Sequence, residues 1–395
     1  MRIFFFMLIL LLGTSIRAQI DSLVPIKKDS IKHYSFETTL YIGKIVNNYP
    51  NFPRNKTSFL FEVGYFTITN GLKEWQQFYK YPQVGISLIY GNFGNQAILG
   101  ENISILPNLS LFIKRNHRFY YQLKMGMGFS FFNKPYSLSN NTENIVIGSH
   151  ITNISALSLN ICKNINKNIV LSGGVSVFHF SNGHYQLPNV GLNLPCFNIS
   201  IKYLPQRLPD KFYQQTPKIP AKRVLLNMYA GVGFHEFGNS TGPTNGTKYP
   251  VYIGNLYLSK RYNTVSNVQA GIYVNYYTSF YDYILTQEVY IKNQHLKSFT
   301  MVAFLGHEYL LGRVGFNIQG GIYLYNPFKR NFVKSSEANI SFSKQLKLIN
   351  TNKLGLQYYF TNPMKSNKHK LFVGMFIKAN LGQADFFEMG AGYTF

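Results

Sequence analysis

Acidic residues are scarce. The chain has 15 Asp and Glu against 39 Lys and Arg, a formal net charge of +24. Between Glu143 and Asp210 there is none, so a carboxylate serving chemistry in that interval must come from elsewhere. Cysteine is equally sparse. Two cysteines and nine scattered histidines give no metal-ligand spacing. No glycine-rich phosphate cradle or Walker motif occurs either, so neither a metal nor another cofactor is expected. Only one Trp is present, and 14% of residues are charged. Beyond the N-terminus no apolar run approaches the roughly 20 residues of a transmembrane helix.

What is present points outward from the cell. Met1–Gln19 opens with Arg2, continues through a short apolar run and reaches the small residue Ala18, which reads as a signal peptide spanning 1–18. A basic protein in the cytoplasm would suggest nucleic acid, but export argues against it. Spread cations suit anionic lipid head groups instead, because Lys and Arg pair with phosphate. Aromatic residues make up 16% of the chain, with 34 Phe, 30 Tyr and 32 Gly, yet mean hydropathy is only −0.08. A transmembrane β-barrel has this signature, since lipid-facing and lumen-facing residues alternate and average out.

Period-two alternation supports that class. Phe119, Tyr121, Leu123, Met125, Met127, Phe129 and Phe131 share one face, while Gln122, Lys124, Gly126 and Ser130 share the other. Eight such strands are expected in the first half, near 34–46, 58–70, 83–93, 102–114, 118–132, 149–163, 168–181 and 191–203. Residues 19–204 thus form one half. Residues 205–222, with Pro205, Pro209, Pro217 and Pro220, form a linker or periplasmic turn that no central strand tolerates. Residues 223–395 give about eight more strands, the last being Ala384–Phe395, which resembles the C-terminal strand of outer-membrane proteins. We expect an all-β antiparallel barrel, with one barrel of about 16 strands preferred. The alternative is an eight-stranded barrel followed by a second β-rich half. The halves look like a duplication, with Gly374–Asn380 standing where Gly174–Phe180 occurs. Lys378 and Glu388 turn inward and are expected to pair. Cys162 and Cys196 fall on strands six and eight, roughly 9–10 Å apart. A disulfide needs Cα atoms within about 7 Å, so free thiols are expected.

The stretch Val177–Asn193 bends two of these strands into a hairpin around a Gly/Pro/Asn loop. Leu171, Val175 and Val177 share a face with His179 and Ser181, and Pro195, Phe197 and Ile199 share a face with Asn193. Three polar groups therefore end two strands on the apolar side. In a strand, i and i+2 lie about 6.5–7 Å apart, so the His179 imidazole can lean toward a Ser181 nucleophile. Asn193 can accept the imidazole N–H and fix its tautomer. Asn182 and the Gly183 N–H are candidate oxyanion donors. Glu143, in the preceding outer loop, is the nearest substitute carboxylate.

His179-Phe-Ser181-Asn182 followed by Pro188-Asn189-Val-Gly191 resembles the signature of the PagL-like lipid A 3-O-deacylases, the acyloxyacyl hydrolase family of outer-membrane barrels. Trp75…Tyr81-Pro82…Gly85 adds a weaker likeness. Asn193 stands where that family carries a Glu. The resemblance implies a serine esterase that removes an acyl chain from lipid A of lipopolysaccharide, in the outer membrane of a Gram-negative bacterium, amid outer-membrane lipids. The competing expectation is a non-enzymatic barrel, a pore or structural protein, in which His179 and Ser181 merely end a strand.

Overall fold

A computed structural model describes residues 33–47, 49–115, 118–206, 223–336, 341–364 and 369–395. The signal peptide 1–18 and nearly all of the 205–222 segment lie outside these residues. Alternation becomes strand throughout. The first eight are β1 (His33–Gly43), β2 (Ser58–Ile68), β3 (Gln83–Asn92), β4 (Glu101–Ile113), β5 (Phe119–Phe132), β6 (Ile151–Asn164), β7 (Ile169–Ser181) and β8 (Leu192–Tyr203). The next eight are β9 (Val224–Glu236), β10 (Lys248–Asn263), β11 (Ser266–Tyr277), β12 (Phe299–Leu311), β13 (Val314–Tyr325), β14 (Asn350–Tyr359), β15 (Lys370–Asn380) and β16 (Gln383–Thr394). Short helices fill a few connections: α1 (Glu74–Phe78), α2 (Thr278–Thr286), α3 (Gln294–Lys297), α4 (Pro327–Ser336) and α5 (Phe342–Ile349). None of the described helices is long and apolar enough to cross a membrane.

The preferred single barrel of about 16 strands is incorrect. β8 pairs back onto β1, from Phe36 opposite Tyr203 to Gly43 opposite Cys196. β16 pairs with β9, from Phe387 opposite Phe234 to Thr394 opposite Asn227. Each set of eight therefore closes on itself. The physical reason is the free edge: a β8 already bonded to β1 has no open N–H and C=O row for a ninth strand. The alternative of an eight-stranded barrel with a second β half is the observed one. Two compact units result, the described residues of Ile26–Gln215 with Glu236–Thr247, and those of Thr216–His235 with Lys248–Phe395.

Tight connections follow from local chemistry. Between β6 and β7 the Asn166 side-chain oxygen accepts the N–H groups of Asn168 and Ile169, at 2.8 and 2.9 Å. Such an Asx turn reverses the chain in a few residues. On the longer connections, the loop after β5 runs beside the loop after β7, with Gly191 N–H donating to Val146 O at 3.2 Å.

The interiors are packed with side chains, as eight strands require. In the first barrel Lys124 Nζ lies 2.9 Å from Glu37 and 2.6 Å from Glu62, and Lys202 Nζ lies 2.8 Å from Glu37. Buried charges persist only when paired, and these are. In the second barrel Lys353 pairs with Glu388 at 2.9 Å, and Lys378 pairs with Asp385 at 2.6 Å. The expected Lys378–Glu388 pair is thus corrected. Both residues face inward, but Lys378 lies opposite Phe386 and Glu388 opposite Phe376, so Lys378 meets Asp385 on the adjacent β16 while Glu388 meets Lys353 on β14. Cys162 and Cys196 are buried free thiols, separated by β7 as anticipated.

An apolar cluster fills the first barrel behind the β7–β8 hairpin, including Phe93, Phe132, Phe178, Phe180, Leu192 and Leu194. Phe93 stacks on Phe132 at 5.3 Å and meets Phe180 edge-on at 5.5 Å. These inward anchors fix the two strand ends whose opposite face carries the candidate site.

Candidate active site

Register brings the hairpin's polar residues together. His179 on β7 lies directly opposite Asn193 on β8. Inward residues Phe178, Phe180, Leu192 and Leu194 are buried, so period-two geometry turns His179, Ser181 and Asn193 to the outer wall. Leu171, Val175, Phe197, Ile199 and Ile201 on the same wall are exposed and apolar. His179 Nδ1 lies 2.8 Å from Asn193 Oδ1. An amide oxygen only accepts, so Nδ1 carries the proton and Nε2 keeps its lone pair.

Ser181 ends β7, and its Oγ receives two hydrogen bonds. The Gly183 N–H donates at 3.2 Å, and the Asn189 side-chain amide donates at 2.9 Å. Asn189 is itself fixed, its Oδ1 accepting the Asn182 N–H at 3.1 Å. Gly191 adopts a left-handed φ of 77°. A Cβ there would lie 3.3 Å from His179 Cε1 and 3.8 Å from Ser181 Cβ, so both side chains flank this one glycine.

Other candidates fall elsewhere. The Asn182 side-chain N–H groups go to Ser149 Oγ and Gln186 O, at 3.1 and 2.6 Å, which ties the loop together. Glu143 is exposed on the loop after β5, while Asn193 is the residue bonded to His179. Trp75 is buried on α1, and Tyr81 O accepts from Arg115 at 2.7 Å, which makes that segment a brace of the turn side. Asn189 was visible in the sequence only as part of a motif. Its approach to Ser181 depends on how the loop folds, which alternation does not encode. Among the described residues no group of three His, Cys, Asp or Glu side chains could hold a metal ion.

Fold and hairpin together define a double β-barrel protein with His179, Ser181 and Asn193 on the outer wall of its first barrel. Residues 60–202 match a family described as lipid A 3-O-deacylase (PagL), and residues 224–348 match the C-terminal domain of acyloxyacyl hydrolase. The chain belongs to this PagL-like acyloxyacyl hydrolase family, whose members are ester hydrolases. No curated protein matches the sequence. Among solved structures, the β domain of the Bordetella autotransporter Brka is 9% identical, with 92% of this chain and 98% of that chain covered and a TM-score of 0.23. A Rh. blastica porin mutant is also 9% identical, over 92% and 99%, with a TM-score of 0.18. At those scores neither likeness carries an argument.

Proposed function

We propose that this protein is an outer-membrane serine esterase that removes an ester-linked acyl chain from lipid A. The observation that carries the reading is the His179–Asn193 hydrogen bond on the outward wall, beside a Ser181 hydroxyl that already faces two N–H donors. Ser181 Oγ attacks the ester carbonyl carbon while His179 Nε2 takes its proton. The carbonyl oxygen becomes an oxyanion within reach of the Gly183 N–H and the Asn189 amide. Collapse expels the sugar alkoxide, which the imidazolium protonates, leaving an acyl-serine. Water then attacks that ester by the same route and releases the fatty acid. Asn193 holds the tautomer but contributes no charge to the imidazolium.

The apolar outer belt supports membrane burial, and the basic residues suit the phosphates of lipid A. Side chains filling both interiors argue against a pore. Mass spectrometry of lipid A from cells expressing the protein tests the reading. The expected spectrum is lighter by one acyl chain than that from Ser181→Ala cells. Identical spectra would overturn it.

A further inference from the structure

The loop that carries Asn189 is held by residues far along the chain. Residues Glu236–Thr247 belong to the same compact unit as the first barrel. Glu236 is fully buried, and its carboxylate accepts the Leu187 N–H at 2.7 Å through Oε2. Its Oε1 accepts the Gly246 N–H. The Glu236 N–H donates to His184 O at 3.1 Å, and the Asn189 N–H donates to Ser240 O at 2.7 Å. His184 Nε2 meets Gly238 O at 3.3 Å. Four hydrogen bonds thus join 184–189 to 236–240, and one of them ends on the backbone of the residue whose side chain reaches Ser181.

A buried carboxylate is costly unless hydrogen-bonded, and charge-assisted bonds to N–H groups are short and strong. Glu236 meets both conditions by binding backbone on two segments at once. It is not the missing third member of the Ser–His site: both its oxygens are engaged by backbone N–H groups, and His179 is bonded to Asn193. The effect on chemistry must therefore pass through Leu187 and Asn189. We propose that Glu236 is a positioning residue for the esterase, a brace that sets the 184–189 loop so that the Asn189 amide faces the oxyanion.

This inference rests on the esterase reading for its kinetic consequence, but not for its structural one, so two readouts are needed on the full-length chain in detergent. Backbone amide exchange is measured over 182–191, and kcat and KM are measured on purified lipid A. In Glu236→Ala the Leu187 and Asn189 amides should exchange at least about tenfold faster, as lost bonds to a charged acceptor imply. The kcat should fall about 10- to 100-fold, less than the loss of an oxyanion donor itself, with KM changed less than about twofold. Glu236→Gln keeps the size and an acceptor for Leu187 but loses the charge and the bond from Gly246, so both readouts should fall between those of Glu236→Ala and wild type, measurably short of wild type. Should Glu236→Ala not fold, Glu236→Gln decides. It places an NH₂ against the Gly246 N–H, so a folded Glu236→Gln with wild-type kcat and wild-type exchange overturns the proposal. Unchanged exchange or unchanged kcat in folded Glu236→Ala also overturns it. If wild type and Ser181→Ala are equally inactive, the esterase reading fails, and the exchange data still decide whether Glu236 braces the loop.

Discussion

At the scale of single residues, the proposed site turns on an amide where the resemblance implies a carboxylate. Asn193 directs the imidazole of His179 without a charge. Asn193→Ala should lower kcat by about 10²–10⁴, the range seen when an orienting residue is lost. Asn193→Glu should hold or raise the rate, because a carboxylate also stabilises the imidazolium; lipid A turnover by purified variants reads both. A silent Asn193→Ala combined with an inactive Glu143→Gln would move the third role to the outer loop. Asn189→Ala should cost about 10²–10³ in kcat, as loss of one oxyanion donor does, with the barrel still folded. Neither its role nor that of Glu236 was legible in the sequence. Alternation assigns faces to strand residues, and it says nothing about which loop atoms converge after a turn.

At the scale of elements, the strands were legible almost to the residue. The eight expected in the first half differ from β1–β8 by at most a few positions, because the outward and inward faces of the wall carry opposite residue types at nearly every step. Inward facing was equally legible for Lys378 and Glu388. Their partners were not, since strand stagger in a closed barrel decides which inward groups on nearby strands meet. In the first barrel Lys124 bridges two carboxylates from β1 and β2. Lys124→Met leaves Glu62 without its cation and Glu37 with only Lys202. The expected destabilisation is about 3–5 kcal/mol, the cost of breaking a buried pair, and urea unfolding in detergent would measure it. A change under about 1 kcal/mol would show that water reaches these carboxylates.

At the scale of the whole molecule, closure was the feature that alternation left open. Sixteen alternating strands fit one wide barrel or two narrow ones equally well, and the pairing of β8 with β1 selects two. A protein of this design should migrate faster on a gel before heating than after, and should resist carbonate extraction from membranes. Recovery in the soluble fraction would contradict the membrane assignment. Because each interior is filled, chemistry on the outer wall has no aqueous approach from within. His179, Ser181 and Asn193 look sideways from the barrel wall, which in the proposed membrane setting is the plane of the neighbouring lipids. If the proposed esterase works in this setting, substrate would reach the serine by two-dimensional diffusion, and encounter frequency would follow its mole fraction among surrounding lipids rather than its bulk concentration. Diluting lipid A with inert detergent in mixed micelles, at constant total lipid A, should slow turnover in proportion.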